Sequence, residues 1–346
     1  MRRGQPAWPT GWAGPYAFAA LLFTLACAKD PTRPTRGPTR HLEVDATPVW
    51  SHDGGLIAYH RRYPSADGPA GLYVISSLGG KPRFLALGDF WWPIHLRFSP
   101  DNRYVVGTRG FEMIIADISS GTVIEPHFTS CGTYEPDWSP DGKTIVYRRW
   151  DCNATPDSGG LHFFDPWAWT DRPFRYGRGL NSTPLWSPDG QEIAFIRNGA
   201  SSDSIFIARS DGSALRVLVA PPVGKGKAYD QLRWYTPKLS GLEALVFDQL
   251  NVPEGGLYIV NRDGTGFRRA PFSLGSGDAL SPDGSEVVTE RFDPRDSIGV
   301  LFVERLGDPS GGSRRQLTHW APPPGTSALH GLSPGPDPPP TPFHPQ

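Results

Sequence analysis

Apolar and polar positions alternate in short bursts along most of this chain, and the bursts repeat. "LWSPDGQEIAFIR" at 185–197 has an apolar pair, a polar turn and a second apolar run. "VWSHDGGLIAYHR" at 49–61, "RFSPDNRYVVGTR" at 97–109, "DWSPDGKTIVYRR" at 137–149 and "ALSPDGSEVVTER" at 279–291 follow the same plan. The turns begin at Ser51, Ser99, Ser139, Ser187 and Ser281, and a gap of twice the usual length calls for a sixth copy near 235. "LRWYTPKLSGLEALVFDQ" at 232–249 supplies it, with Trp234 at the repeat position and a longer turn. Each copy continues with a third apolar strand: Leu72–Ile75, Met113–Ala116, Leu161–Phe164, Ile205–Ala208, Leu257–Val260 and Val300–Val303. A second turn and a fourth strand such as "LRVLV" at 215–219 or "RRQLT" at 314–318 close the unit. A four-stranded antiparallel sheet with two apolar faces cannot bury both alone. Six such sheets arranged radially bury each other, so the period predicts an all-β, six-bladed β-propeller.

The turn explains its own residues. Ser accepts a backbone amide, Pro presets φ, Asp favours the third position and Gly takes the left-handed one, which Asn102 fills in the second copy. Asp53, Asp101, Asp141, Asp189 and Asp283 therefore read as turn formers. Trp50, Trp138, Trp186 and Trp234, with Phe98 and Leu280, read as wedges between blades. The pattern W-S-P-D-G-x-x-I-A-F, followed by L-Y-V and D-G-x-x-x-R-x-L-T, resembles the repeat of TolB-type six-bladed propellers, relatives of the WD-repeat, over about 40–320. TolB itself is periplasmic, carries an α/β domain before its propeller and binds the peptidoglycan-associated lipoprotein. Here only Lys29 to about Arg40 stands between the leader and the first blade, so that partner is not carried over. At the ends, "TRHLE" at 39–43 and "RRQLT" both look like fourth strands; one is expected to complete the last blade, the other to add an edge or stay loose.

The ends of the chain differ from the repeats. Residues 1–26 read as a lipoprotein-like export signal: Arg2 and Arg3, then an apolar run from Ala17 to Ala26 that is too short to span a bilayer. "TLAC" resembles a lipobox, with Cys27 as the lipidated residue, while "ACA" offers an ordinary cleavage before Lys29. Residues 27–38 then form a linker, 39–320 the propeller and 321–346 a Pro-rich disordered tail. The expected place is the bacterial envelope, lipid-anchored, or alternatively periplasmic or secreted.

Composition narrows the function. With 34 Lys and Arg against 35 Asp and Glu there is no basic face for nucleic acid. Of 3 cysteines, Cys131 and Cys152 remain after the leader. A hairpin pairing Trp138 with Ile145 continues to Cys131 opposite Cys152 unless a bulge shifts it, so they are a disulfide or two buried thiols. No His-x-x-x-His, Cys-x-x-Cys or calcium loop occurs, and a G-x-S-x-G at Gly331–Gly335 lacks the strand and helix that motif needs. No catalytic residue, metal or cofactor is assigned, although His60, His95 and His162 would matter if the fold brought them together. Arg97 in the second blade and Arg233 in the fifth face each other across the ring and could hold an anionic group, with Asp137 beside Arg97; the alternative is a structural Arg97–Asp137 pair. Phe90, Trp91 and Trp92, in the loop entering the second blade, are a contact surface or a plug. The expectation is a monomeric, non-catalytic binding or scaffold protein engaging an envelope protein or a small anionic or glycan ligand, touching the membrane only through a lipid anchor. The alternative is a propeller lyase or hydrolase with a His/Asp/Arg site at the channel mouth.

Overall fold

The computed structural model describes residues 42–43, 45–66, 68–88, 95–128, 132–150, 160–178, 181–199, 203–220, 229–235, 243–249, 256–270, 274, 278–292, 298–308, 310–319 and 321. Their strands form six sheets. After β1 (Leu42–Glu43), blade 1 comprises β2 (Asp45–Trp50), β3 (Leu56–Arg61), β4 (Gly71–Ser76) and β5 (Arg83–Leu87). Blade 2 is β6 (Arg97–Phe98), β7 (Tyr104–Arg109), β8 (Glu112–Asp117) and β9 (Val123–Ile124). Blade 3 is β10 (Gly132–Trp138), β11 (Ile145–Trp150), β12 (Gly160–Asp165) and β13 (Thr170–Arg178). Blade 4 is β14 (Asn181–Trp186), β15 (Glu192–Asn198), β16 (Asp203–Arg209) and β17 (Arg216–Val219). Blade 5 is β18 (Tyr229–Tyr235), β19 (Ala244–Gln249), β20 (Gly256–Asn261) and β21 (Arg268–Arg269). Blade 6 is β22 (Ala279–Leu280), β23 (Glu286–Phe292), β24 (Ile298–Arg305) and β25 (Arg315–Gln316), joined by β1. Within each blade consecutive strands pair antiparallel, and first strands of neighbouring blades touch from blade 6 through blade 1 round to blade 5, which makes them the inner wall of the ring. The segment around Trp234 forms its blade as the repeat requires.

The core lies between blades. Apolar clusters join blades 6 and 1, 1 and 2, 2 and 3, 3 and 4, and 4 and 5. Trp50, Trp138, Trp186 and Trp234 each pack against the preceding blade, and the Trp50 indole donates to the Ala279 carbonyl at 3.0 Å.

Both terminal strands use the outer edge of β24. β25 pairs antiparallel, Phe302 with Gln316, while β1 pairs parallel nearer the start of β24, Leu42 with Ile298. Neither displaces the other, because each covers two residues of a long strand. The segment after β25 then locks onto blade 1. Arg61 donates to Asp45 at 2.7 and 2.9 Å, to Ser65 Oγ at 2.9 Å and to the His319 carbonyl at 3.3 Å. The Arg61 and Asp45 side chains are 0% exposed. Burial pushes the Asp45 carboxyl up, against hydrogen bonds from Arg61 and Thr318.

One irregularity recurs on the inner wall. In β2, β10, β14 and β18 the register slips by one residue about three positions before the tryptophan. Thr47, Glu135 and Thr183 take φ of 52, 56 and 46° there, each followed by a proline. A bulge of this kind re-aims the backbone toward the next blade. It also changes the register on which the cysteine pairing rests. Trp138 meets Ile145 as expected, but beyond the bulge Tyr134 meets Arg148 and Gly132 meets Trp150, one residue short of the Cys131–Cys152 register. The two cysteines themselves lie outside the described residues.

Candidate functional site

The first turns of the blades gather at one end of the ring, and five share one hydrogen-bond pattern. Ser51, Ser99, Ser139, Ser187 and Ser281 donate to the aspartate two residues on at 2.5–2.7 Å. The same hydroxyls accept the amide five residues on at 2.8–3.0 Å. These aspartates form turns, as their sequence context implies. Neighbouring turns touch: Pro100 stands 3.8 Å from where a Cβ on Gly142 would lie, Pro140 3.5 Å from one on Gly190, and Pro282 3.8 Å from one on Gly54. Where His52 replaces proline, its freed amide donates to Asn102 Oδ1 at 2.8 Å, and Asn102 is the residue that replaces glycine in the next blade. Arg262 ties blades 4 and 5 through Asp189, Glu192 and Glu243 at 2.6–2.8 Å. Its hydrogen bonds hold the Asp189 carboxyl down at about 2.

Two residues before the serines of their turns, Arg97 and Asp137 are joined, Nε to Oδ1, at 3.4 Å. The other Asp137 oxygen accepts the Trp186 amide of blade 4 at 2.8 Å, so the carboxylate bridges three blades. Burial pushes Asp137 up, partly offset by Arg97 and that amide. Glu135, two residues earlier, accepts the Thr183 amide at 2.6 Å. Arg233 is half-buried on β18, opposite Val246, in the blade that faces blade 2 across a ring of six. Phe90, Trp91, Trp92 and Cys27 lie outside the described residues.

The three histidines stand on different blades. His60 is buried in β3, His95 precedes β6 and His162 is on β12. Burial, with the nearby Arg62 charge, lowers His60 to about 3, so it is neutral at ordinary pH. His162 belongs to a group that sequence reasoning missed. Asp171 of β13 accepts from Tyr147 Oη at 2.9 Å and Arg149 Nη1 at 2.9 Å, and lies 3.3 Å from His162 Nδ1. Tyr147 and Arg149 are two apart on one strand and so share a face, which was the available signal. Burial pushes the Tyr147 hydroxyl up, while His162 and Tyr147 overcome the burial of Asp171 and lower it. Among the described residues no three of His, Cys, Asp and Glu gather as metal ligands.

No protein-family model matches the sequence. A curated protein from Agrobacterium fabrum, the uncharacterized protein Atu1656, is 26% identical over 286 residues, 79% of each chain. The crystal structure of TolB from Acinetobacter baumannii superposes with a TM-score of 0.55 at 17% identity, over 78% of this chain; the match spans 65% of that TolB. An oligogalacturonate lyase in complex with manganese superposes with a TM-score of 0.53 at 16% identity, over 81% of this chain and 78% of the lyase. With five four-stranded sheets and a sixth to which β1 adds a fifth strand, arranged in a ring, the chain is a six-bladed β-propeller of the TolB-like fold.

Proposed function

We propose that the chain is a non-catalytic binding or scaffold protein of the bacterial envelope, engaging a protein or a small anionic or glycan ligand at a channel mouth. Arg97 and Arg233, from opposing blades, hold the ligand's anionic group, and Asp137 orients Arg97. The aromatics Phe90, Trp91 and Trp92 add a contact surface where the chain enters blade 2. Cys27 carries the lipid anchor. The observation that carries this reading is the engagement of the mouth's carboxylates. Asp137, Glu135, Asp189 and the other turn aspartates accept from backbone amides, serines and arginines of the ring itself, a scaffolding role. A pull-down from envelope extract with the mature protein tests it: a partner retained by the parent is lost when Arg97 and Arg233 are both changed to Ala. Equal recovery of every partner refutes the mouth as the site. Mass spectrometry of the mature N-terminus should find a lipidated Cys27; an unmodified start at Lys29 refutes the anchor.

A second reading, a lyase or hydrolase, is favoured by the His162–Asp171 contact and by the fold likeness to oligogalacturonate lyase. A carboxylate that fixes one imidazole nitrogen leaves the other to move a proton. That reading expects turnover of an oligogalacturonide by the purified protein and its loss in His162→Ala.

A further inference from the structure

The outer turns of blades 2 and 3 share a geometry and differ at their left-handed position. In blade 2, Asp117 accepts the Ser119 and Ser120 amides at 2.8 and 3.0 Å, and Gly121 takes φ 74°. In blade 3, Asp165 accepts the Trp167 and Ala168 amides, both at 2.8 Å, and Trp169 takes φ 56°. Gly79, Gly212, Gly264 and Gly307 hold positive φ in the outer turns of blades 1, 4, 5 and 6. Ala214 also holds φ 53° in blade 4, but Trp169 is the bulky residue held left-handed in these turns, where Gly121 stands at the matching position of blade 2, and backbone strain of this kind concentrates at functional positions.

Two indoles of this turn face solvent: Trp167 is 53% and Trp169 58% exposed. Both are held in place. Trp167 Nε1 donates to the Gly142 carbonyl at 2.9 Å, and its ring stacks on Trp138 with centroids 6.4 Å apart at 28°. Trp169 stands edge-on to Phe164 at 5.6 Å. Polar groups border them. His162 shares the Phe164 face of β12, Asp171 lies opposite Phe164, and Arg149 binds Asp171. Exposed Lys143 and Asp141 flank the Gly142 carbonyl that holds Trp167.

We infer that Trp167 and Trp169 form a saccharide platform on blade 3, taking a β-linked, gluco-configured oligosaccharide. The large apolar side chains exposed on this turn are Trp167 and Trp169, an area far below the roughly 800 Å² per partner of a stable protein interface. A sugar ring with equatorial substituents has a flat C–H face that matches an indole, and hydroxyls at its edge for which Asp171, Arg149 and His162 are the partners. Trp167 and Trp169 belong to the outer turn of blade 3, whereas Arg97 and Arg233 are on the first strands of blades 2 and 5, so the two readings rest on different side chains.

The test titrates chitohexaose and cellohexaose into the mature protein, followed by calorimetry and tryptophan emission. Saturable binding of at least one is expected, weakened tenfold or more in Trp169→Gly and in Trp167→Phe. Relief of the left-handed strain offsets the lost Phe164 contact, so Trp169→Gly should melt within about 3 °C of the parent. No saturable binding of either sugar, equal binding by Trp169→Gly, or a fall in its melting temperature beyond about 6 °C overturns the platform. So does an envelope protein captured through Trp169 while neither sugar binds.

Discussion

At the scale of single residues, the departures from the repeat carry the most information. His52 and Asn102 each break the turn pattern, and each is the other's partner at 2.8 Å. Changing His52 to Pro, or Asn102 to Gly, removes one half of a hydrogen bond; making both changes restores the common turn. A double-mutant cycle read by urea unfolding should therefore give a coupling of about 1 kcal/mol, with the double variant close to the parent. His60 makes a second prediction. Its folded value of about 3 lies below the ordinary 6.5, so its contribution is complete above pH 6.5. On acidification the unfolded chain takes up a proton that the native state refuses, and stability is lost down to about pH 3. The expected slope from this group is about 1.4 kcal/mol per pH unit. Unfolding followed between pH 6 and 4, roughly the middle of that window, should show the slope reduced by that amount in His60→Leu; equal slopes would exclude His60 as the cause.

At the scale of elements, the closing joint decides stability. Asp45, Arg61 and the Thr318–His319 segment meet where blade 1 adjoins the strand that completes blade 6. Removing one partner strands a buried charge, so Asp45→Asn should cost about 3–5 kcal/mol in chemical denaturation, and Asp45→Asn with Arg61→Met should recover part of it. The strands and turns were legible in the sequence because Ser-x-Asp-Gly and the flanking apolar runs fix each hairpin locally. The Arg61 joint was not legible, since its partners come from opposite ends of the chain and no local pattern links Asp45 to His319. The inner-wall bulge had a visible signal in the proline two residues before Trp50, Trp138 and Trp186, but its effect on register needs the paired strand. Asp171 was hidden for a similar reason: its three partners come from two other strands. Arg97 beside Asp137 followed from position in the repeat, whereas the link from Asp137 to the Trp186 amide depends on how far adjacent blades lean together.

At the scale of the whole molecule, the ring is held by its last few residues. Leu317 and Thr318 bond to Leu301, the His319 carbonyl accepts from Arg61, and the Ala321 carbonyl accepts the Ala66 amide at 2.9 Å. A chain ending at Gln316 loses these contacts and the buried Leu317, and its melting temperature should fall by about 5 °C or more. A chain ending at Ala321 should melt with the full-length protein; a large drop would assign a structural role to the Pro-rich tail.

The shared edge of β24 also sets a timetable for synthesis. β1 must wait for a partner that lies some 250 residues later, at about 5–20 residues per second, so the nascent arc stays unlatched for roughly 13–50 s. Throughout that interval blade 1 shows the apolar flank that blade 6 will cover. A protein that crosses a membrane during or soon after translation would still be open at that stage, and the latch would shut only on the far side.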